Sequence, residues 1–106
     1  MDISDWRKRI DDLDRKLAAL LNERASAAIE IGRLKRNTNL PIYEPARERE
    51  VIANVQKASK GPLAPRDLAQ IYERIMDVMR SIQKYEIVPE GKNSVRDTEI
   101  EPHGDD

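Results

Sequence analysis

The sequence predicts an all-α protein of three helices, the first of them very long, that pairs as an intertwined homodimer. Three observations predict it. Residues 5 to about 36 contain no proline and a single glycine, Gly32, and carry apolar residues at alternating four- and three-residue spacing. Two later segments show the same periodicity, each opened by a proline, Pro45 and Pro65. No segment alternates apolar and polar residues as a half-buried strand does.

In the first segment the seam reads Trp6, Ile10, Leu13, Leu17, Leu20, Ala27, Ile31 and Leu34, with Ser4 as the expected N-cap. Such a helix is about 48 Å long at 1.5 Å per residue. A compact domain of this size has a radius of gyration near ~13 Å, so this one helix is longer than such a globule should be. A second chain packed along the seam resolves that conflict.

Asn37-Thr38-Asn39-Leu40-Pro41 ends the first helix. The second is expected from about 45 to 59, with Val51, Ile52 and Val55 inward, and stops at Lys60-Gly61-Pro62. The third is expected from 65 to about Tyr85, with Leu68, Ile71, Tyr72, Ile75, Met76, Met79 and Ile82 as its apolar face. The helical domain then spans residues 1–88, and 89–106 read as a flexible acidic tail.

Composition narrows the chemistry. The chain has 106 residues, with 39% apolar, 37% charged, no Cys and one His. Thiolate chemistry, disulfides and multi-histidine metal cages are excluded. No apolar run approaches the ~20 residues that span a bilayer. The N-terminal residues lack the layout of a signal peptide, so a cytoplasmic setting is expected. The net charge of −1 conceals a division: residues 1–85 carry +4 and residues 86–106 carry −5. Twelve of the nineteen basic residues are Arg, whose guanidinium fork suits a small carboxylate ligand. A charge of +4 with few aromatics is a weak footprint for nucleic acid.

Several polar residues interrupt the pattern. Arg24 falls on the first seam between Leu20 and Ala27. It reads either as a snorkelling side chain at a wet interface or as a receptor for an anion. Lys35, eleven residues on, shares nearly the same face about 16 Å away; alone it reads as a helix-end lysine, and with Arg24 it could grip a dicarboxylate. Arg7 lies ~25 Å from Arg24 and roughly 100° around the helix; alone it reads as a solvated arginine beside Lys8 and Arg9, and it reaches such a pocket only across an antiparallel pair of first helices. Arg47-Glu48-Arg49-Glu50 reads as a solvated first turn. Gln83 ends the third stripe, either as a helix-end polar group or as a donor aimed inward. His103 receives no role.

The run Trp6-Arg7-Lys8-Arg9-Ile10-Asp11-Asp12-Leu13-Asp14-Arg15-Lys16-Leu17 continues into Leu20-Leu21-Asn22-Glu23-Arg24. Ile29-Glu30-Ile31-Gly32-Arg33-Leu34-Lys35, Pro41-Ile42-Tyr43-Glu44 and Arg47-Glu48-Arg49-Glu50 follow. Taken together, over about residues 5–85, they resemble the all-helical (AroQ-type) chorismate mutase family. The resemblance implies conversion of chorismate, a dianion, to prephenate by an intramolecular Claisen rearrangement. It implies no metal and no cofactor, and a chair-like conformer stabilised as the ether C–O bond breaks.

Position by position, Arg24 resembles the arginine that binds a substrate carboxylate, and Arg7 the one donated by the partner subunit. Lys35 resembles the lysine on a carboxylate and the ether oxygen, and Gln83 the side-chain donor to that oxygen. Glu48 resembles the acceptor for the ring hydroxyl and Arg47 a supporting arginine. Glu44 stands where the family often has Asp and would contribute mainly a backbone N–H. Met79 departs from the pattern: some members carry a serine there, on the ring carboxylate, and Arg80 is expected on another face. Competing expectations are an isochorismate-pyruvate lyase on the same fold and a non-enzymatic helical dimerisation module.

Overall fold

The computed structural model describes residues 1–86, which form three helices and no strand. They are α1 (Ile3–Thr38), α2 (Pro45–Ala58) and α3 (Pro65–Glu86). The domain limit at 88, the acidic tail and His103 lie outside the described residues.

Helix α1 begins earlier than its seam suggested. Asp2, not Ser4, is the N-cap. Its Oδ1 accepts from the Asp5 N–H at 2.9 Å, and Asp5 Oδ2 accepts from the Asp2 N–H at 3.1 Å. This reciprocal pair satisfies two backbone donors, and Asp5 also faces the positive end of the helix dipole.

At the other end α1 runs on to Thr38, whose hydroxyl donates to the Leu34 carbonyl at 3.0 Å. Asn39 then adopts the left-handed conformation at φ 62°. The Leu40 N–H reaches back to the Lys35 carbonyl at 2.9 Å and the Asn39 N–H to that of Arg36 at 3.4 Å. Those two bonds make a Schellman motif, with asparagine in place of the usual glycine. The motif reverses the chain and returns residues 42 to 44 to the side of Lys35.

Pro45 opens α2, and Glu44 is its N-cap residue without a side-chain capping bond. Val51, Ile52 and Val55 are half-buried. Beyond Ser59 the chain turns at Gly61, φ +84°, a conformation glycine adopts without strain. Gln56 Nε2 donates to the Pro65 carbonyl at 2.8 Å and so ties the end of α2 to the start of α3.

Helix α3 packs against both α1 and α2. Met76, Met79 and Gln83 of α3 are buried, as are Ala28 and Gly32 of α1. Of the expected α3 face, Leu68, Tyr72, Ile75 and Ile82 are half-buried and Ile71 is exposed. The described residues extend 52 × 34 × 17 Å with a radius of gyration of 16.6 Å. A slab 17 Å thick is less than two helix diameters deep, so among the described residues no layer covers the first half of α1. Trp6, Ile10, Leu13, Leu17 and Leu20 are accordingly 41–59% exposed. Burying the exposed half of five such side chains is worth about 5 kcal/mol, which is the lower end of the net stability of a whole domain. Among the described residues no helix is long and apolar enough to cross a membrane.

Candidate active site

A cavity of ≈ 440 Å³ lies where the three helices meet. Arg24, Ala28 and Ile31 of α1 form one wall, and Arg47, Glu48 and Val51 of α2 another. Met76, Met79, Arg80 and Gln83 of α3 form the floor, and Ile42 and Glu44 of the connecting segment close one end. The three helices thus bring together four of the residues singled out in the sequence, Arg24, Arg47, Glu48 and Gln83, with Glu44 beside them.

Arg24 is half-buried, and no side chain among the described residues pairs with it. Its charge therefore has no fixed local counter-ion, as an anion receptor requires. Lys35 reaches the cavity's edge through Glu44. Its side chain is only 11% exposed, and its Nζ lies 2.6 Å from Glu44 Oε1 and 3.2 Å from the Ile42 carbonyl oxygen. The Schellman turn brings residues 42 to 44 within reach of Lys35. Glu44 is drawn to Lys35 and so leaves the N-terminus of α2 without its side chain. Arg47 faces the cavity and pairs with Glu50 at 2.8 Å, both well exposed.

Gln83 is the most constrained of the group. It is buried, and its Nε2 donates to the Ala28 carbonyl at 2.8 Å. One N–H of the amide is held by α1, and the second remains for a group in the cavity. Gly32 makes this approach possible: a Cβ there would sit 3.1 Å from Gln83 Cγ and 3.2 Å from its Cβ. The glycine that interrupts the α1 pattern is a close-packing site for the buried Gln83 side chain.

Arg80 corrects the sequence expectation that it faces elsewhere. It lies on the cavity wall with Met79 and Gln83. Its Nε donates to Glu48 Oε2 at 2.7 Å, its Nη2 pairs with Asp77, and its guanidinium stands 4.9 Å from the centroid of the Tyr43 ring. The hydrogen bond to Glu48, aided by the charges of Glu48 and Asp77, raises its pKa above the ordinary arginine value, while partial burial pulls the other way. The signal was in the sequence: Tyr72, Met76, Arg80 and Gln83 continue one stripe at steps of four, four and three.

Arg7 is not brought to the cavity by its own chain. It is exposed in the early turns of α1, about 25 Å along the helix from Arg24. Among the described residues no cluster of His, Asp and Glu could hold a metal ion.

The sequence profile described as chorismate mutase type II matches residues 6–84. The chain is 38% identical over 87 residues to the bifunctional chorismate mutase/prephenate dehydratase of Aquifex aeolicus, an overlap covering 78% of this chain and 24% of that protein. It therefore spans about a quarter of the length of that curated relative. A Methanocaldococcus jannaschii chorismate mutase is 26% identical over 83 residues, covering 77% of this chain and 84% of its own. Among solved structures, chorismate mutase form II from Thermus thermophilus aligns with a TM-score of 0.75 at 30% identity, over 77% of this chain and 93% of that one. The Helicobacter pylori chorismate mutase in complex with prephenate aligns with a TM-score of 0.75 at 28% identity, over 80% and 92%. A profile match running through all three helices, the connections between them and every wall of the cavity has one meaning: the chain belongs to the type II chorismate mutase family.

Proposed function

We propose that this chain catalyses the rearrangement of chorismate to prephenate, as an isomerase, in a homodimer with two shared sites. The observation that carries the reading is the convergence on one cavity of an unpaired arginine, a second arginine, a carboxylate and a pinned carboxamide, with a nearly buried lysine at its edge. The prephenate held by the Helicobacter pylori neighbour supports the same substrate class.

In this reading Arg24 and Arg47 take the substrate's carboxylates and so hold its two reacting ends in the compact conformer. Lys35 and the second N–H of Gln83 face the ether oxygen. Negative charge grows on that oxygen only as the C–O bond breaks, so their contacts strengthen in the transition state and lower the barrier. Glu48 accepts from the ring hydroxyl, and Glu44 contributes its backbone N–H. No proton is transferred and no covalent intermediate forms. The exposed α1 seam supports the homodimer: a second copy covering it buries Trp6 to Leu20 and carries the partner's Arg7 toward the cavity.

The purified protein should form prephenate from chorismate at equal rates with and without a chelator. Lys35→Ala should remain helical and lose about a hundredfold to a thousandfold in kcat, the range for removing a donor to a developing oxyanion. Wild-type-like turnover in that variant would refute the role of Lys35. Isochorismate offered in parallel separates a mutase from a lyase: pyruvate release exceeding prephenate formation would overturn the assignment.

A further inference from the structure

We propose that Arg80 is a positioning residue that seats the Glu48 carboxylate on the cavity wall and so sets the site's demand for a substrate hydroxyl. The inference rests on the mutase reading and deepens it. Glu48 projects from the first turn of α2, on a long side chain that would otherwise sample several rotamers. Arg80 reaches it from α3, and the Nε–Oε2 contact of 2.7 Å joins residues 32 apart in sequence.

The guanidinium is itself held from two other sides. Asp77, one turn earlier on α3, pairs with Nη2, and the Tyr43 ring lies against it at 4.9 Å. Asp77 and Tyr43 thus fix one planar cation, and that cation fixes Glu48. Only Oε2 of Glu48 is engaged. Oε1 has no hydrogen-bond partner among the described residues and is the oxygen left to accept from a ligand hydroxyl. A lysine would supply the charge without the fork that bonds Glu48 and Asp77 at once.

The test is a double-variant cycle with Arg80→Met, Arg80→Lys, Glu48→Gln and both Arg80 changes combined with Glu48→Gln. Each is measured for helical circular dichroism, melting, kcat and KM on chorismate. Arg80→Met should lower kcat/KM about tenfold to a hundredfold, the range for losing a hydrogen bond to a charged group. Arg80→Lys should recover part of that loss. In the Glu48→Gln background, neither Arg80 change should cost anything further, because the group it positions is already altered. Losses that multiply would overturn the proposal, since Arg80 would then act independently of Glu48. Wild-type kcat/KM in Arg80→Met would also overturn it. Should Arg80→Met fail to fold, the Arg80→Lys pair completes the cycle. A readout independent of turnover is the crystal structure of the Arg80 variant: Glu48 should leave the wall, and Glu48 in its original place would overturn the proposal. A wild-type protein that leaves chorismate unchanged would instead defeat the mutase reading, and the position of Glu48 would still decide this one.

Discussion

At the scale of single residues, the Lys35 ammonium lies between a carboxylate at 2.6 Å and a carbonyl at 3.2 Å, so an anionic substrate must compete with Glu44 for it. Glu44→Gln removes that competitor and one negative charge near a dianion. KM for chorismate should fall several-fold, with stability changed by less than about 1 kcal/mol because Glu44 is half exposed; steady-state kinetics and a melting curve check both. Gly32 makes a second prediction. Alanine gains about 1 kcal/mol in helix propensity there, but its Cβ presses on Gln83 at 3.1 Å, and Gln83 is held by Ala28. Overpacking of this kind costs about 1–3 kcal/mol. Gly32→Ala should melt near the wild type while kcat falls at least tenfold through displacement of the carboxamide; unchanged kcat would show that Gln83 need not be held so closely. Arg80 gives no pH dependence near neutrality. Its pKa is raised in the folded protein, so its contribution is complete below the unfolded value and is lost only as pH rises through the folded one, in strong alkali.

At the scale of elements, the helices follow from local rules, and their ends follow from contacts the periodicity does not contain. Pro45 and Pro65 mark two starts, because proline fits a first helical turn where its missing N–H has no partner to lose. Seam spacing misses the Asp2–Asp5 capping box, since neither residue is apolar. It also misses Asn39, whose left-handed backbone ends α1 two residues beyond the start of the polar break. The turn at Asn39 sets the path of residues 42 to 44 and hence the contact of Lys35 with Glu44. Asn39→Ala should destabilise by about 1 kcal/mol, because it removes the short polar side chain that lets asparagine tolerate the left-handed region. It should also raise KM as the Glu44 segment shifts, whereas Asn39→Gly should do neither. Thermal melts and kinetics of the two variants decide whether the turn carries function or only caps the helix.

At the scale of the whole molecule, the described residues form a slab 17 Å thick that leaves a row of large apolar side chains exposed and Arg7 far from the cavity. The proposed homodimer would answer both facts, with a second copy lying antiparallel along α1. Mixing Arg7→Ala with Lys35→Ala subunits tests it. In a mixed dimer one site loses both groups and the other keeps both, so random pairing should restore about a quarter of wild-type activity from two nearly inactive parents. Sedimentation of each parent should show a dimer. Mixtures no more active than their parents would mean that Arg7 does not cross between chains.

The sequence by itself determined the helical class, the three elements and the unpartnered seam, and it marked Arg24, Lys35 and Gln83 as polar residues on or at the end of apolar stripes. These are legible because helical periodicity and turn chemistry act over a few residues. Glu44, Arg47 and Glu48 were singled out only by the resemblance to the chorismate mutases, since local rules read Arg47-Glu48-Arg49-Glu50 as a solvated first turn. The tertiary structure alone decided that Gln83 is held by Ala28 and admitted by Gly32, 55 residues apart for the hydrogen-bonded pair. It alone decided that Arg80 joins Glu48 rather than solvent. Partners between helices depend on how two amphipathic faces rotate against each other, and that angle is set by the packing of all their side chains together.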